Sequence, residues 1–392
     1  MRVLVLSSRY PDAVRPMAGN IIERQTLALA ARRDVDVQVV APLAVNPFPL
    51  SLLPRHRRLR DLPRVETWNG LRVHRPRYAT IPKLAGAQPF LLARRLLPLL
   101  RALRREFAFD VLAAQFFWPE GPAAVSLREI LGVPVSVKGR GPDVETWATH
   151  GTAGPRIVEA GRRADGLLAV NAELKRHMER LGMPSERIAV HYTGLDRNLF
   201  RPGRAAAKQA LGISGPLLLS VGNLIPRKGH DLAIAALAHL PDATLMIAGN
   251  GTLDQQLRET ARALGVEERV RMMGLVPYTE MPALYAAADV TIHAASIEGF
   301  ANARVESLAC GTPVVTSDVG APEELIQSPE AGAIVPRDAA SIAAAAQRFI
   351  LAPQPEWVVA AAVDRFSWDR NAEELDAHLR ALIAARRGAA AP

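Results

Sequence analysis

The chain has 392 residues, 49% hydrophobic and 22% charged, enough for two ordinary globular domains with full cores. A single cysteine, Cys310, excludes an internal disulfide framework and argues against a cysteine-ligated metal, in keeping with a reducing compartment. The net charge of +9 is uneven. Residues 1–200 carry 31 Lys and Arg against 18 Asp and Glu, whereas residues 201–392 carry 17 against 21. Aromatic residues make up only 5%, with no base-stacking platform in view, so nucleic acid is not an expected partner. The opening MRVLVLSSRY is too short an apolar run for a signal peptide, and no segment approaches the roughly 18 to 20 apolar residues of a membrane span.

In chain order, RVLVLSS (2–8) reads as a buried parallel strand, followed by a loop to Gly19 and a helix through IIERQTLALAARR. VDVQVVAP (35–42) is the next strand. VETWNGLRVH reads as a hairpin around Asn69-Gly70. In PFLLARRLLPLLRALRREF (89–107) Leu and Arg alternate at helical spacing. Such a helix either lies on an anionic membrane surface with Leu and Phe inserted, or packs its Leu face and solvates the Arg face. The βα rhythm continues through strands at 110–117, 132–139, 165–171 and 187–194. After Asp196 it restarts, with strands at 216–223, 243–250, 269–274, 289–296, 312–318 and 332–336, and the chain closes with the helical WDRNAEELDAHLRALIAARR. Two doubly wound parallel sheets follow from this alternation, with a boundary where DRNLFRPGR breaks the period. The expected domains are 1–197 and 198–366, with 367–392 as a terminal helix and tail.

Chemistry concentrates in the second half. VGNLIPRKGHD (221–231) sets Arg227, Lys228 and Gly229 between a strand end and a helix start, which suits an anionic phosphate but also describes a solvated loop. His230 beside them reads as a surface histidine. SIEGFANARVESLACGTPVVTSD (296–318) places Glu298 and Glu306 at either end of a short helix, separated by roughly 10 Å of its axis. It follows the fourth strand of its half, at the carboxyl edge where open α/β sheets bind ligands. Cys310 reads as a small buried residue, and His293 as a core or cleft-wall residue. Gly19, just before a helix, is either a phosphate approach or a plain loop glycine. A dinucleotide dehydrogenase loses its support because no G-x-G-x-x-G is present. Asp34 and Asp36 read as a turn into a strand rather than a metal pair, and no cluster has metal-ligand spacing.

With these residues in hand, the chain resembles the retaining glycosyltransferases of the GT-B fold, glycosyltransferase family 4 (glycosyl transferases group 1), over nearly its whole length. EGFANARVESLACGTPVVTSDVGAPEEL resembles the family's E-x7-E signature; VGNLIPRKGHD, AGNGTLDQQL, VRMMGLVP, HYTGLDRNLFRP and FSWDRNAEEL resemble further family segments in order. The resemblance implies two Rossmann-like domains facing across a cleft, with the acceptor held by the first and the nucleotide-sugar donor by the second. The last helix is then expected to cross back to the first domain. It implies that Glu298 contacts the donor sugar, that the backbone of Gly299, Phe300, Ala301 and Asn302 holds sugar and diphosphate, and that Glu306 takes the ribose hydroxyls. Lys228 and Arg227 are expected to neutralise the leaving diphosphate. Gly19, Gly222 and Asn223 join the donor-binding set, and residues 274–277 the base contacts.

The activity so implied is metal-independent transfer of a hexose from a UDP- or GDP-type donor to a glycan or lipid-linked acceptor, with retention, as in polysaccharide biosynthesis. No tightly bound cofactor is expected. The location implied is cytoplasmic, peripheral at the inner membrane face if residues 89–107 bind anionic lipid. Alternatives on the same fold are a nucleotide-sugar epimerase, a phosphorylase-like enzyme, or a non-catalytic nucleotide-sugar binder. The chain departs from the family pattern at Asn223, where Arg is common, and at Gln115 and Arg140, where His is common. Arg140 is nonetheless expected in the catalytic set, above the donor.

Overall fold

The computed structural model describes residues 1–48, 54–80 and 85–389. The chain forms two compact units, one of Met1–Gly194 with Trp368–Pro392, the other of Leu195–Ser367. The first unit's strands are β1 (Arg2–Leu6), β2 (Asp36–Val40), β3 (Leu43–Val45), β4 (Val65–Trp68), β5 (Leu71–His74), β6 (Arg77–Ala79), β7 (Val111–Ala114), β8 (Val135–Gly139), β9 (Gly166–Ala169) and β10 (Ile188–Val190). Among the described residues its main sheet runs β10-β9-β8-β7-β1-β2-β5-β4, and β3 pairs with β6. All main-sheet pairings are parallel except β4 with β5. That antiparallel edge is the Asn69-Gly70 hairpin, where φ of 46° and 82° at the two turn residues suits the twist of the flanking strands. Central strands such as β7, β8 and β9 are buried at every position, as strands covered on both faces require.

The second unit comprises β11 (Leu217–Val221), β12 (Thr244–Ala248), β13 (Val270–Gly274), β14 (Val290–His293), β15 (Val314–Thr316) and β16 (Gly332–Ile334). Among the described residues these form a parallel sheet in the order β13-β12-β11-β14-β15-β16. In each sheet the strand order reverses beside the first strand of its series: between β1 and β7, and between β11 and β14. The carboxyl ends of the strands at such reversal points are the usual ligand site of open α/β sheets.

Each unit has its own core. Val3, Val5, Leu29, Val39 and Val111 gather in the first, and the helix Trp368–Ala389 contributes Leu375, Leu379 and Ile383 to that cluster. Leu218, Leu245, Ile247, Val290 and Phe349 belong to the second. The helix Gln88–Glu106 buries Leu92, Leu96, Leu100 and Leu103 and packs on the helix Glu120–Leu131. The packed alternative is thus realised for these leucines, because Leu at i, i+4 and i+8 falls on one stripe. Arg94, Arg95, Arg101 and Arg105 face outward, with Phe90 64% exposed at the helix start. No helix among the described residues is long and apolar enough to cross a membrane.

Candidate active site

In the second unit the loops after β11 and β14 are pressed together backbone to backbone. A Cβ at Gly229, whose φ is 69°, would lie 2.1 Å from the Ala294 carbonyl oxygen, so only glycine permits the approach. Ser296 N donates to Arg227 O at 2.8 Å across the same seam. Lys228 runs its aliphatic stem past Gly222, where a Cβ would lie 3.4 Å from it, in ordinary van der Waals contact. The result is that Lys228 Nζ and Glu298 Oε2, 70 positions apart, are hydrogen-bonded as an ion pair. Arg227 Nη1 stands 4.0 Å from the same oxygen and donates to Ile297 O at 2.9 Å. Asn223 is exposed at the loop's outer side.

His293, at the end of β14, places Nε2 3.5 Å from Glu298 Oε2, the outer limit of a hydrogen bond. Burial pushes the ring's pKa down to about 4, so His293 is neutral near pH 7. Burial alone would raise the Glu298 carboxyl, but the His293 ring and the Lys228 ammonium together hold it well below the usual range. Glu298 is therefore an anion balanced mainly by Lys228.

The segment Gly299–Ala301 leads into the helix Asn302–Ala309, whose N-terminus has no side-chain cap. Its first-turn N–H groups suit an anion. Phe300 is buried against Phe366, ring centroids 5.6 Å apart, which fixes the loop. Gly320 backs it closely: a Cβ there would meet Gly299 O at 2.3 Å. One turn into the helix, Glu306 Oε2 accepts from Tyr285 Oη at 3.0 Å. The structure thus brings Arg227, Lys228, Gly222 and Glu298 together around one crevice, with 299–302 forming the loop and helix start that follow Glu298. Gly274, at the end of β13, accepts from Gly249 N at 2.8 Å, and Leu275 beyond it is 61% exposed.

One reading needs correction. His230 is buried, not superficial: Ser220 Oγ lies 2.8 Å from Nδ1 and the Asn223 carbonyl 3.3 Å from Nε2, and burial lowers its pKa to about 4. It ties the Lys228 loop to β11. Gly19 has a reason of its own, since at φ 75° a Cβ would lie 1.9 Å from Arg9 O, where the first loop folds back on itself. Cys310 is fully buried, and burial pushes its thiol up to about 12.

In the first unit Arg140 follows β8. Its Nε donates to Gln115 O at 3.0 Å and its Nη2 to Gln115 Oε1 at 2.7 Å, with the guanidinium 5.7 Å from the centre of the Phe116 ring. Two buried carboxyls stitch the loops of this sheet edge. Asp143 accepts from Phe117 N at 2.7 Å and Arg140 N at 2.8 Å, and Glu120 accepts from Ser8 N at 2.8 Å. Burial raises Asp143 to about 6 and Glu120 to about 7. Sequence reasoning passed over both, together with Tyr285, and gave His293 only a core or cleft-wall place. Glu120 opens the helix that follows β7 and reads as an ordinary first-turn acid.

Fold and site define a two-unit α/β protein with Arg227, Lys228 and Glu298 clustered at the switch point of its second sheet. Residues 19–199 match the family described as Glycosyltransferase Family 4, and residues 204–361 match Glycosyl transferases group 1. The chain is 32% identical over 326 residues to D-inositol 3-phosphate glycosyltransferase of Acidothermus cellulolyticus, covering 74% of this chain and 71% of that one. It is 26% identical to the putative teichuronic acid biosynthesis glycosyltransferase TuaC of Bacillus subtilis, over 89% of each. Among solved structures, sucrose-phosphate synthase from Thermosynechococcus elongatus superposes with a TM-score of 0.81 at 21% identity, covering 98% of this chain and all of that one. Anabaena HepE in complex with UDP-glucose gives 0.74 at 19%, covering 97% and 100%. The chain belongs to glycosyltransferase family 4 and has the GT-B fold. It is a glycosyltransferase that takes its sugar from a nucleotide-sugar donor.

Proposed function

We propose that the protein transfers a hexose from a nucleoside-diphosphate sugar to a glycan or lipid-linked acceptor with retention of anomeric configuration. The observation that carries this reading is the Lys228–Glu298 pair beside an uncapped helix start at the switch point of the second sheet. On donor binding, Lys228 exchanges its carboxylate partner for the diphosphate, and Arg227 adds a second cation. Glu298, released from Lys228, accepts hydroxyls of the donor sugar. The N–H groups of 299–302 face sugar and phosphate, Glu306 takes the ribose hydroxyls, and Gly222 and Asn223 border the donor.

As the glycosidic bond breaks, charge accumulates on the departing phosphate, where fixed donors lower the barrier most. The leaving phosphate itself then accepts the acceptor hydroxyl's proton on the same face, so no dedicated side-chain base is needed. In this reading two side-chain cations stabilise the leaving group without a bound metal. On the first unit, Arg140 and Gly19 are assigned to donor contacts.

A thermal-shift panel of UDP-, GDP- and ADP-sugars tests the donor class. One base is expected to raise Tm, since a ligand at 100 times its Kd adds about 2.7 kcal/mol. No shift with any of them would overturn the reading. TuaC and the colanic acid enzyme WcaL of Escherichia coli are named for polysaccharide biosynthesis, which supports an acceptor of that kind.

The outward arginines of Gln88–Glu106 and the exposed Phe90 support a peripheral position at the cytoplasmic membrane face. Co-sedimentation with anionic liposomes is expected, falling as salt rises. Equal binding to neutral vesicles would count against it.

A further inference from the structure

Beneath Arg140 lies a buried chain of polar side chains with no assigned purpose. Lys138, on β8, is 2% exposed and has no carboxylate within hydrogen-bond reach among the described residues. Its Nζ donates to Gln25 Oε1 at 3.0 Å and to His191 Nδ1 at 2.7 Å. Gln25 Nε2 lies 3.1 Å from Gln115 Oε1, the atom that also accepts from Arg140 Nη2. On the other side, His191 Nε2 lies 2.8 Å from the Asn371 carbonyl.

The direction of each bond is forced by what the end groups can do. A carbonyl only accepts, so His191 carries its proton on Nε2 and leaves Nδ1 bare for Lys138. An amine hydrogen-bonded in this way gives donors to both neighbours, so Gln25 turns its oxygen toward Lys138 and its NH2 toward Gln115. Gln115 must therefore present oxygen to Gln25, and the same oxygen meets Arg140. Arginine has donors only. The carboxamides thus have one arrangement that suits both a lysine at one end and an arginine at the other.

The geometry points to Lys138 and Gln25 as positioning residues that set the orientation of Gln115 and so fix the Arg140 guanidinium in place. This inference rests on the proposed role of Arg140 in the transfer. Lys138 is also surrounded by groups that disfavour extra positive charge: burial first and then Arg140 push its pKa down, with Glu374 opposing. His191 and His378 face it as neutral rings, both lowered chiefly by burial.

Gln25→Glu tests the idea with little threat to folding, because the new carboxylate pairs with Lys138 while removing the donor that Gln115 needs. Gln115 must then turn its NH2 inward, toward the donor of Arg140. The first readout is the Arg140 Nη2–H resonance, from the group that meets Gln115 Oε1, assigned by its loss in Arg140→Lys. It is expected to be sharp in the native protein and displaced and exchange-broadened in Gln25→Glu and in Lys138→Met. An unchanged resonance in Gln25→Glu would overturn the inference, whatever Lys138→Met does to folding.

The second readout is nucleotide release from whichever UDP-, GDP- or ADP-sugar raises Tm. Gln25→Glu is expected to lower kcat about tenfold with donor KM changed less than twofold, and to cause no further loss in an Arg140→Ala background. Full additivity with Arg140→Ala would count against positioning through Arg140. If Arg140→Ala keeps full activity while the Arg140 resonance of the protein that retains this arginine responds to Gln25→Glu, the catalytic assignment of Arg140 fails and the relay stands.

Discussion

Lys228→Ala is expected to lower kcat for sugar transfer by about 10²- to 10³-fold, the range observed when one fixed donor to a developing oxyanion is removed. Donor KM should change less, because Arg227 stands close by and the 299–302 loop retains its contacts. The same substitution also leaves Glu298, 13% exposed in the intact pair, without its principal countercharge. Breaking one side of a buried ion pair costs about 3–5 kcal/mol. Arg227, 4.0 Å away, offsets part of that. Loss of activity in the single variant could therefore reflect misfolding. The double variant Lys228→Ala, Glu298→Gln separates the two effects: it should recover Tm and leave kcat as low as in the single variant or lower. If activity returned with stability, Lys228 would be a structural residue and its assignment to the leaving group would be wrong. Glu306→Ala should instead raise donor KM, because the ribose hydroxyls take no part in bond breaking.

Glu120→Gln is expected to stabilise the protein at pH 8 and to change little at pH 5. Burial raises this carboxyl from the ordinary 4.5 to about 7, opposed by the Ser8 hydrogen bonds, with neighbouring Asp143 adding to the rise. A raised acid binds its proton more tightly in the folded state. Its favourable contribution is present below about pH 4.5 and is lost as pH climbs to about 7, above which the folded state holds a buried carboxylate at full cost. That rise corresponds to about 3 kcal/mol at most. The amide keeps an acceptor for Ser8 N and carries no charge. Differential scanning calorimetry should show Tm higher by about 5 °C or more at pH 8. An equal difference at both pH values would mean that the ionised carboxyl is not the source.

Much of the architecture was legible in the sequence because its signals are local. Five- to seven-residue apolar runs, helices between them and the Asn69-Gly70 turn each declare themselves within a short window, and the restart after Asp196 declares the second sheet. The crevice was legible for a different reason: PRKG and EGFAN each follow a strand, and a parallel sheet brings the ends of β11 and β14 side by side. What escaped was pairing at a distance between residues that look ordinary alone. Gln25 sits on an amphipathic helix where a glutamine normally faces water, and Lys138 interrupts an apolar strand as an edge residue would. Only the fold reveals that both point inward, with Lys138 joining Gln25 to His191. His230 was misread because its neighbours Arg227 and Lys228 are polar, while its own partner, Ser220, lies inside β11. Tyr285 gave no signal toward Glu306, since MPALYAA reads simply as a helix packing its aromatic inward.

The helix Trp368–Ala389 completes the first unit although its residues are synthesised after the whole of the second. Leu375, Leu379 and Ile383 close the apolar cluster opened by Val3 and Val5, and the Asn371 carbonyl meets His191. On the ribosome, then, the first unit waits with one flank of its core uncovered while the whole of the second emerges. The second unit is continuous in the chain and can fold during that interval. A chain lacking residues 368–389 would hold an intact second core and an unfinished first one, a species prone to association through the exposed flank. The order of synthesis therefore lets the first unit close only after the second has emerged.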